Sequence, residues 1–226
     1  MPWIICADLF TKSVRLASSC FLSLLIIFSV DAEVVWIDDF NAPDLSSHWQ
    51  HEKFKKQTDY SIVTIGDNKV LQANSNNAAS GLYLNKKVDL NKTPILNWRW
   101  RMLKGFDNPN ETTKIGDDFV ARIYVVVAGG WFFWKTQALS YVWSQQQMPG
   151  TYWFSPYSKQ AVLWSVERGA NTVGEWKTEK QNVFDDFSKA FAEEQTFIHV
   201  VAIMSDTDNT GKTAVVQIDD IYFSSE

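Results

Sequence analysis

The sequence has only two cysteines, Cys6 and Cys20, both near its start. Downstream of them no thiol can form a disulfide, act as a nucleophile or hold a metal, so the rest of the chain must hold together by packing. Histidine is just as sparse. His48, His51 and His199 are too scattered for a metal triad. There is no long run of lysine or arginine, and the formal net charge is −5. That argues against nucleic acid as the main partner, because neutralising phosphates takes clustered cations. No nucleophile elbow, Walker loop or dinucleotide fingerprint is present. The apolar run Leu16–Val30 is too short for a comfortable membrane span.

That run has another use. Lys12 and Arg15 precede it, and Val30-Asp31-Ala32 closes it with an A-x-A-like exit. A positive segment, a short apolar segment and such an exit describe a secretory signal. Residues 1–32 are therefore expected to be a signal peptide and residues 33–226 a single domain. The mature protein is expected to be periplasmic or secreted, without a membrane span. An uncleaved anchor is the alternative, and a lipoprotein reading at Cys20 fits less well, since the apolar run follows that cysteine.

What the chain does have is aromatics: 15% of residues, including 11 Trp. Large aromatics suit half-buried sheet surfaces, and Trp and Tyr also stack on flat apolar ligand faces. Short segments rich in Val, Ile, Trp and Tyr recur between Gly, Asn, Asp and Pro. They predict strands over 33–40, 60–66, 69–75, 81–90, 95–103, 118–127, 138–144, 161–168, 176–183, 197–205 and 214–223. Two stretches read as helical, 44–52 and 185–194. Asp185 or Asp186 can cap the second, where Phe187 and Phe191 share a face. The expected fold is all-β, a jelly-roll-like antiparallel β-sandwich with one or two short helices.

The segment "NWRWRM", Asn97 to Met102, carries the sharpest polar signal. Strand alternation puts Trp98 and Trp100 on one side and Arg99 and Arg101 on the other. In the next strong strand Phe119, Ala121, Ile123, Val125 and Val127 form a core side, with Asp118, Arg122 and Tyr124 opposite. If the two strands share a sheet, Arg99, Arg101, Asp118, Arg122 and Tyr124 line one groove. Arginine forks onto carboxylates and stacks on aromatics. The same pattern also describes a solvated salt-bridge ladder.

"DTDNTG", Asp206 to Gly211, places Asp206, Asp208 and Thr210 at alternate positions before a glycine. Gln217 stands where an EF-hand needs its bidentate Glu, so that reading fails. A simpler calcium loop through Asp206, Asp208 and Thr210 remains open, and so does a polar hairpin turn. Calcium is the one cofactor considered. The chain ends rhyme as well, "IDDF" (37–40) with "IDDIYF" (218–223), and such terminal strands often pair. Asp117 and Asp118 are adjacent and cannot face each other as an acid–base pair. A hydrolase would have to recruit another carboxylate, such as Glu167 or Glu179.

"WRWR" (98–101), "GDDFVARIYVVV" (116–127), "SYVWS" (140–144), "SPYSKQAVLWSVERG" (155–169), "NVFDDFSKAF" (182–191) and "VAIMSDTDNTGK" (201–212) together resemble the bacterial family catalogued as domain of unknown function 3047. Ser140 stands where that pattern has Asn. The resemblance implies an exported β-sandwich without an assigned activity. It also implies that Arg99, Arg101, Asp117, Asp118, Arg122, Tyr141, Trp143, Asp206 and Asp208 belong to a shared pattern.

Three functions follow as expectations. The first is a non-catalytic module binding a carbohydrate or cell-envelope glycan, with Arg99, Arg101, Asp118, Arg122, Tyr124, Tyr141 and Trp143 as candidate contacts. The second is a structural or partner-binding envelope protein with a flat aromatic patch. The third is a polysaccharide lyase or hydrolase, which needs Arg and Tyr to converge in an open cleft.

Overall fold

A computed structural model describes residues 32–129 and 135–226. The predicted signal segment lies almost entirely outside the described residues. Residues 32–226 form one compact unit. In chain order the strands are β1 (Val34–Asp38), β2 (Gln50–Lys55), β3 (Asp59–Ile65), β4 (Asn68–Asn76), β5 (Ala79–Asp89), β6 (Ile95–Lys104), β7 (Arg122–Val127), β8 (Gln137–Ser144), β9 (Tyr152–Ser155), β10 (Ser158–Arg168), β11 (Lys177–Asn182), β12 (Phe197–Met204) and β13 (Thr213–Ser224). A helix, α1 (Val183–Phe191), stands between β11 and β12.

The strands form two sheets, a jelly-roll-like sandwich. One sheet is six-stranded, ordered β11-β6-β13-β4-β3, with β1 beside β13. The other is seven-stranded, ordered β2-β5-β12-β7-β8-β10-β9. The two chain ends therefore pair, with Trp36 opposite Tyr222. Neighbouring strands run antiparallel except β8 and β10, which are parallel. The chain between them is spent on β9, which pairs back onto β10 and takes the sheet edge.

The core sits between the sheets. Leu96, Trp98, Trp100 and Met102 enter it from β6, and Leu139, Tyr141 and Trp143 from β8. The aromatics interlock. Trp98 lies 5.3 Å from Trp100 and 5.6 Å from Tyr141, and Trp100 lies 5.7 Å from Trp143, by ring centroids. Each such ring withdraws roughly 150–250 Å² from water, which makes this seam the main packing element. Strand alternation in "NWRWRM" thus resolves as expected, with Trp inward and Arg outward.

Four local expectations are corrected. Residues 44–52 form no α-helix. Only Leu45–Ser47 make a 3-10 turn, capped by Asp44, which accepts from the Ser46 amide at 2.9 Å. From Gln50 the chain is already β2, an edge strand exposed along its whole length. The strand β9 was not foreseen. The strand read from 118 begins only at Arg122, because residues 118–121 are held in a loop by Asn108, which donates to the carbonyls of Gly116 and Asp118. The cap of α1 is Asn182, accepting from the Asp185 amide at 3.1 Å, rather than Asp185 or Asp186.

Candidate functional site

The expected single polar groove does not form. Strands β6 and β7 belong to different sheets, so their outward sides face opposite directions. Arg99 and Arg101 lie on the outer face of the six-stranded sheet. Arg122 and Tyr124 lie on the outer side of the seven-stranded sheet.

Arg122 is buried there. Its Nε donates to Asp206 Oδ1 at 2.8 Å, and its Nη2 bonds Asp206 Oδ2 and the Asp117 carbonyl. Its guanidinium carbon lies 4.5 Å from the centre of the Phe119 ring. Phe119, Val142, Leu163 and Trp153 cover this end of the face as a small second core. Burial works against the Arg122 charge, but Asp206, Tyr124 and Asp117 outweigh it and hold the pKa well above the usual range. This arginine ties the loop before β7 to the loop after β12 and leaves no open cleft at its head.

Asp118 joins the same tie. Its carboxylate accepts from the Asn209 amide at 3.1 Å and the Thr210 amide at 2.6 Å, capping the turn after β12. The carboxylates of Asp118, Asp206 and Asp208 lie within 4.8 Å of one another. The Thr210 hydroxyl, expected as a ligand, is buried and has no hydrogen-bond partner among the described residues. Arg122 Nη2 pairs with Asp206 and Lys55 Nζ approaches Asp208 to 3.6 Å, while burial still raises the Asp206 pKa to about 7.

Tyr141 and Trp143 point the other way. Both are fully buried in the inter-sheet core. Tyr141 donates to Asp186 Oδ2, and Trp143 Nε1 donates to the Gly169 carbonyl, each at 2.9 Å. They shape the core and reach no open surface.

An open groove of about 320 Å³ crosses the outer face of the seven-stranded sheet. Its floor comes from Gly81 and Tyr83 on β5, Val200, Ala202 and Met204 on β12, and Tyr124 and Val126 on β7. Glu52 and Phe54 of β2 flank it. Ala202 pairs with Tyr83 on one side and Tyr124 on the other. The two tyrosines therefore stand two strand spacings apart, about 10 Å, over a short side chain. The Tyr83 hydroxyl donates to Gln50 Oε1 at 2.7 Å, and the Tyr124 hydroxyl rests 3.8 Å from the Met204 sulfur. Burial raises the Tyr124 pKa above the ordinary phenol value. Glu52 is the one carboxylate among the lining residues. Of the expected contacts, only Tyr124 lines this groove. Tyr83 was missed, although "GLYL" alternates with Gly81 and Tyr83 on one side.

On the six-stranded sheet, Arg99 Nη2 donates to Asp219 Oδ2 at 2.5 Å, and its Nε lies 2.8 Å from Asp220 Oδ2 as an ion pair. Arg101 Nε donates to Gln217 Oε1 at 2.7 Å. Trp176 lies beneath both guanidinium groups, at 5.0 and 4.9 Å. The ladder form of the arginine pattern is thus realised at Arg99.

The family model described as protein of unknown function (DUF3047) matches residues 47–222. No curated protein matches the sequence. Among solved structures, a family 11 carbohydrate-binding module from Clostridium thermocellum, complexed with a mixed-linked tetrasaccharide, is similar at 10% identity, covering 84% of this chain and 94% of its own, with a TM-score of 0.44. The cellulose-induced protein Cip1 is similar at 12% identity, 84% and 96% coverage and a TM-score of 0.46. A variant of the Cel12A cellulase of Rhodothermus marinus gives 9%, 85% and 99%, and 0.46.

Proposed function

We propose, from the premise that the chain belongs to the DUF3047 family, that it is an exported, non-catalytic module that binds a carbohydrate in the groove of its seven-stranded sheet. The observation that carries this reading is the pair Tyr83 and Tyr124 flanking Ala202 on an open floor. Sugar rings have apolar faces that stack on tyrosine, while their hydroxyls find the Glu52 carboxylate beside the groove. Two aromatics about 10 Å apart suit an extended saccharide of a few rings. The signal-like residues 1–32 favour export to the periplasm or beyond.

The lining also weighs against hydrolysis. Glycoside cleavage needs two carboxyl groups roughly 5–9.5 Å apart, and Glu52 has no carboxylate companion among the lining residues. A lyase needs arginine and tyrosine together in the open; Arg99 and Arg101 stand on the opposite sheet from Tyr124, and Arg122, on the same strand as Tyr124, is buried against Asp206.

The test is a panel of neutral polysaccharides presented to the exported protein, with retention and released fragments read on the same samples. Retention without fragments is expected. Tyr83→Ala and Tyr124→Ala should each weaken it about tenfold, near 1.4 kcal/mol. Released oligosaccharides would overturn the non-catalytic reading. Undiminished binding in both variants would remove the ligand from the groove.

A further inference from the structure

We propose that the outer face of the six-stranded sheet is a second binding surface, where Arg101 takes the carboxylate of an acidic polysaccharide. This surface is distinct from the groove and lies on the opposite sheet.

The argument starts from register. Arg101 of β6 pairs with Gln217 of β13, Gln217 with Gln72 of β4, and Gln72 with Ser61 of β3. Trp176, just before β11, closes the row at the Arg101 end. The row is bonded along its length. Arg101 Nε donates to Gln217 Oε1, and Gln217 Nε2 donates to Gln72 Oε1, each at 2.7 Å. Gln72 keeps its own amide nitrogen as a further donor.

The chemistry of Arg101 differs from that of its neighbour. Arg99 is neutralised by Asp219 and Asp220. No ion pair among the described residues includes Arg101. Its one bonded nitrogen is Nε, and that bond goes to a neutral amide. Half-buried, with its Nε bonded to Gln217 and its guanidinium carbon 4.9 Å from the Trp176 ring, Arg101 keeps its terminal nitrogens for an incoming acceptor. Such a fixed fork matches the two oxygens of a carboxylate, and little rotamer freedom is lost on binding. Asp219 and Asp220 keep the face from becoming a general positive field. Recognition is therefore of one oriented carboxylate beside sugar hydroxyls, not of polyanion charge density.

The probe is polygalacturonate, compared with the same polymer fully methyl-esterified, on the exported protein. The unaltered protein is expected to bind the acid form at least tenfold more tightly than the ester. Arg101→Gln should lose about tenfold on the acid form, and Trp176→Ala several-fold. Arg101→Lys keeps charge and stem but not the fork. It should melt with the unaltered protein and still bind several-fold more weakly. Lys104→Gln removes a nearby exposed charge and should change nothing. Polygalacturonate binding that falls in Arg101→Gln supports the surface whether or not a neutral glycan binds in the groove. Failure to bind polygalacturonate, equal binding of the ester, or full binding by both Arg101 variants would overturn it.

Discussion

Arg122 and Arg101 both start on the outer side of a strand, and beyond that they share little. Loops fold over Arg122, and with them come Asp206, Asp117 and the ring of Phe119. Nothing comparable covers Arg101, which meets an amide and one indole. The first is cemented in, and its charge is spent on holding two loops together. The second has charge to spare. Where a sheet face is roofed by its own loops, a polar residue serves the fold. Where the face is left open, it is available to a ligand.

The largest expected effect tests the cemented side. Arg122→Met strands two buried carboxylates and should lower stability by about 3–5 kcal/mol in urea unfolding. Loss of less than about 1 kcal/mol would mean that the loops hold without it.

A second test concerns a buried carboxylate that lacks such a cation. Glu179 faces the core from β11 and accepts from Trp100 Nε1 at 3.0 Å. Burial pushes its pKa from 4.5 up to about 7, with Glu167 adding to the rise while the Trp100 bond and Lys177 oppose it. The folded state then binds the proton more tightly than the unfolded chain. The stability this adds is full below pH 4.5 and is lost as pH climbs through 7. Glu179→Gln should therefore gain on the order of 2 kcal/mol at pH 8 relative to the parent and close to nothing at pH 4, by urea unfolding at both pH values. An equal effect at both would place the cause in packing.

The smallest expected change completes the contrast. Arg101→Met should shift stability by less than about 1 kcal/mol, since half-exposed polar contacts contribute little. A cost matching that of Arg122→Met would erase the distinction between the two faces.

Much of the sandwich was legible in the sequence. Strands such as β6 and β7 alternate, and the apolar side that each shows is the core side. Strand β2, "QHEKFK", has no buried side to reveal it and exists because β5 offers it an edge. Strand β9 has only four residues, too few for a period to show. Within β6, alternation correctly separated Trp from Arg. It could not say which sheet β6 would join. Residues 105–121 carry the chain from one sheet to the other, a non-local event without a local signature, and the single-groove expectation failed there. The groove fell outside the arginine pattern because its small floor residues, Gly81 and Ala202, matter only once three strands are side by side.

The acidic pair near the end of β13 marks a break in its register. Asp219 lies opposite Arg99 and Tyr222 opposite Asn97, so β13 carries one residue more than its partner across that interval. The surplus is Asp220, whose φ is +51°. Without it the text would read Ile218-Asp219-Ile221-Tyr222-Phe223, an unbroken in–out alternation. Asp220 therefore behaves as a letter inserted into a finished word. Striking it out should leave the spelling of the core intact and take away only one of the two carboxylates on Arg99.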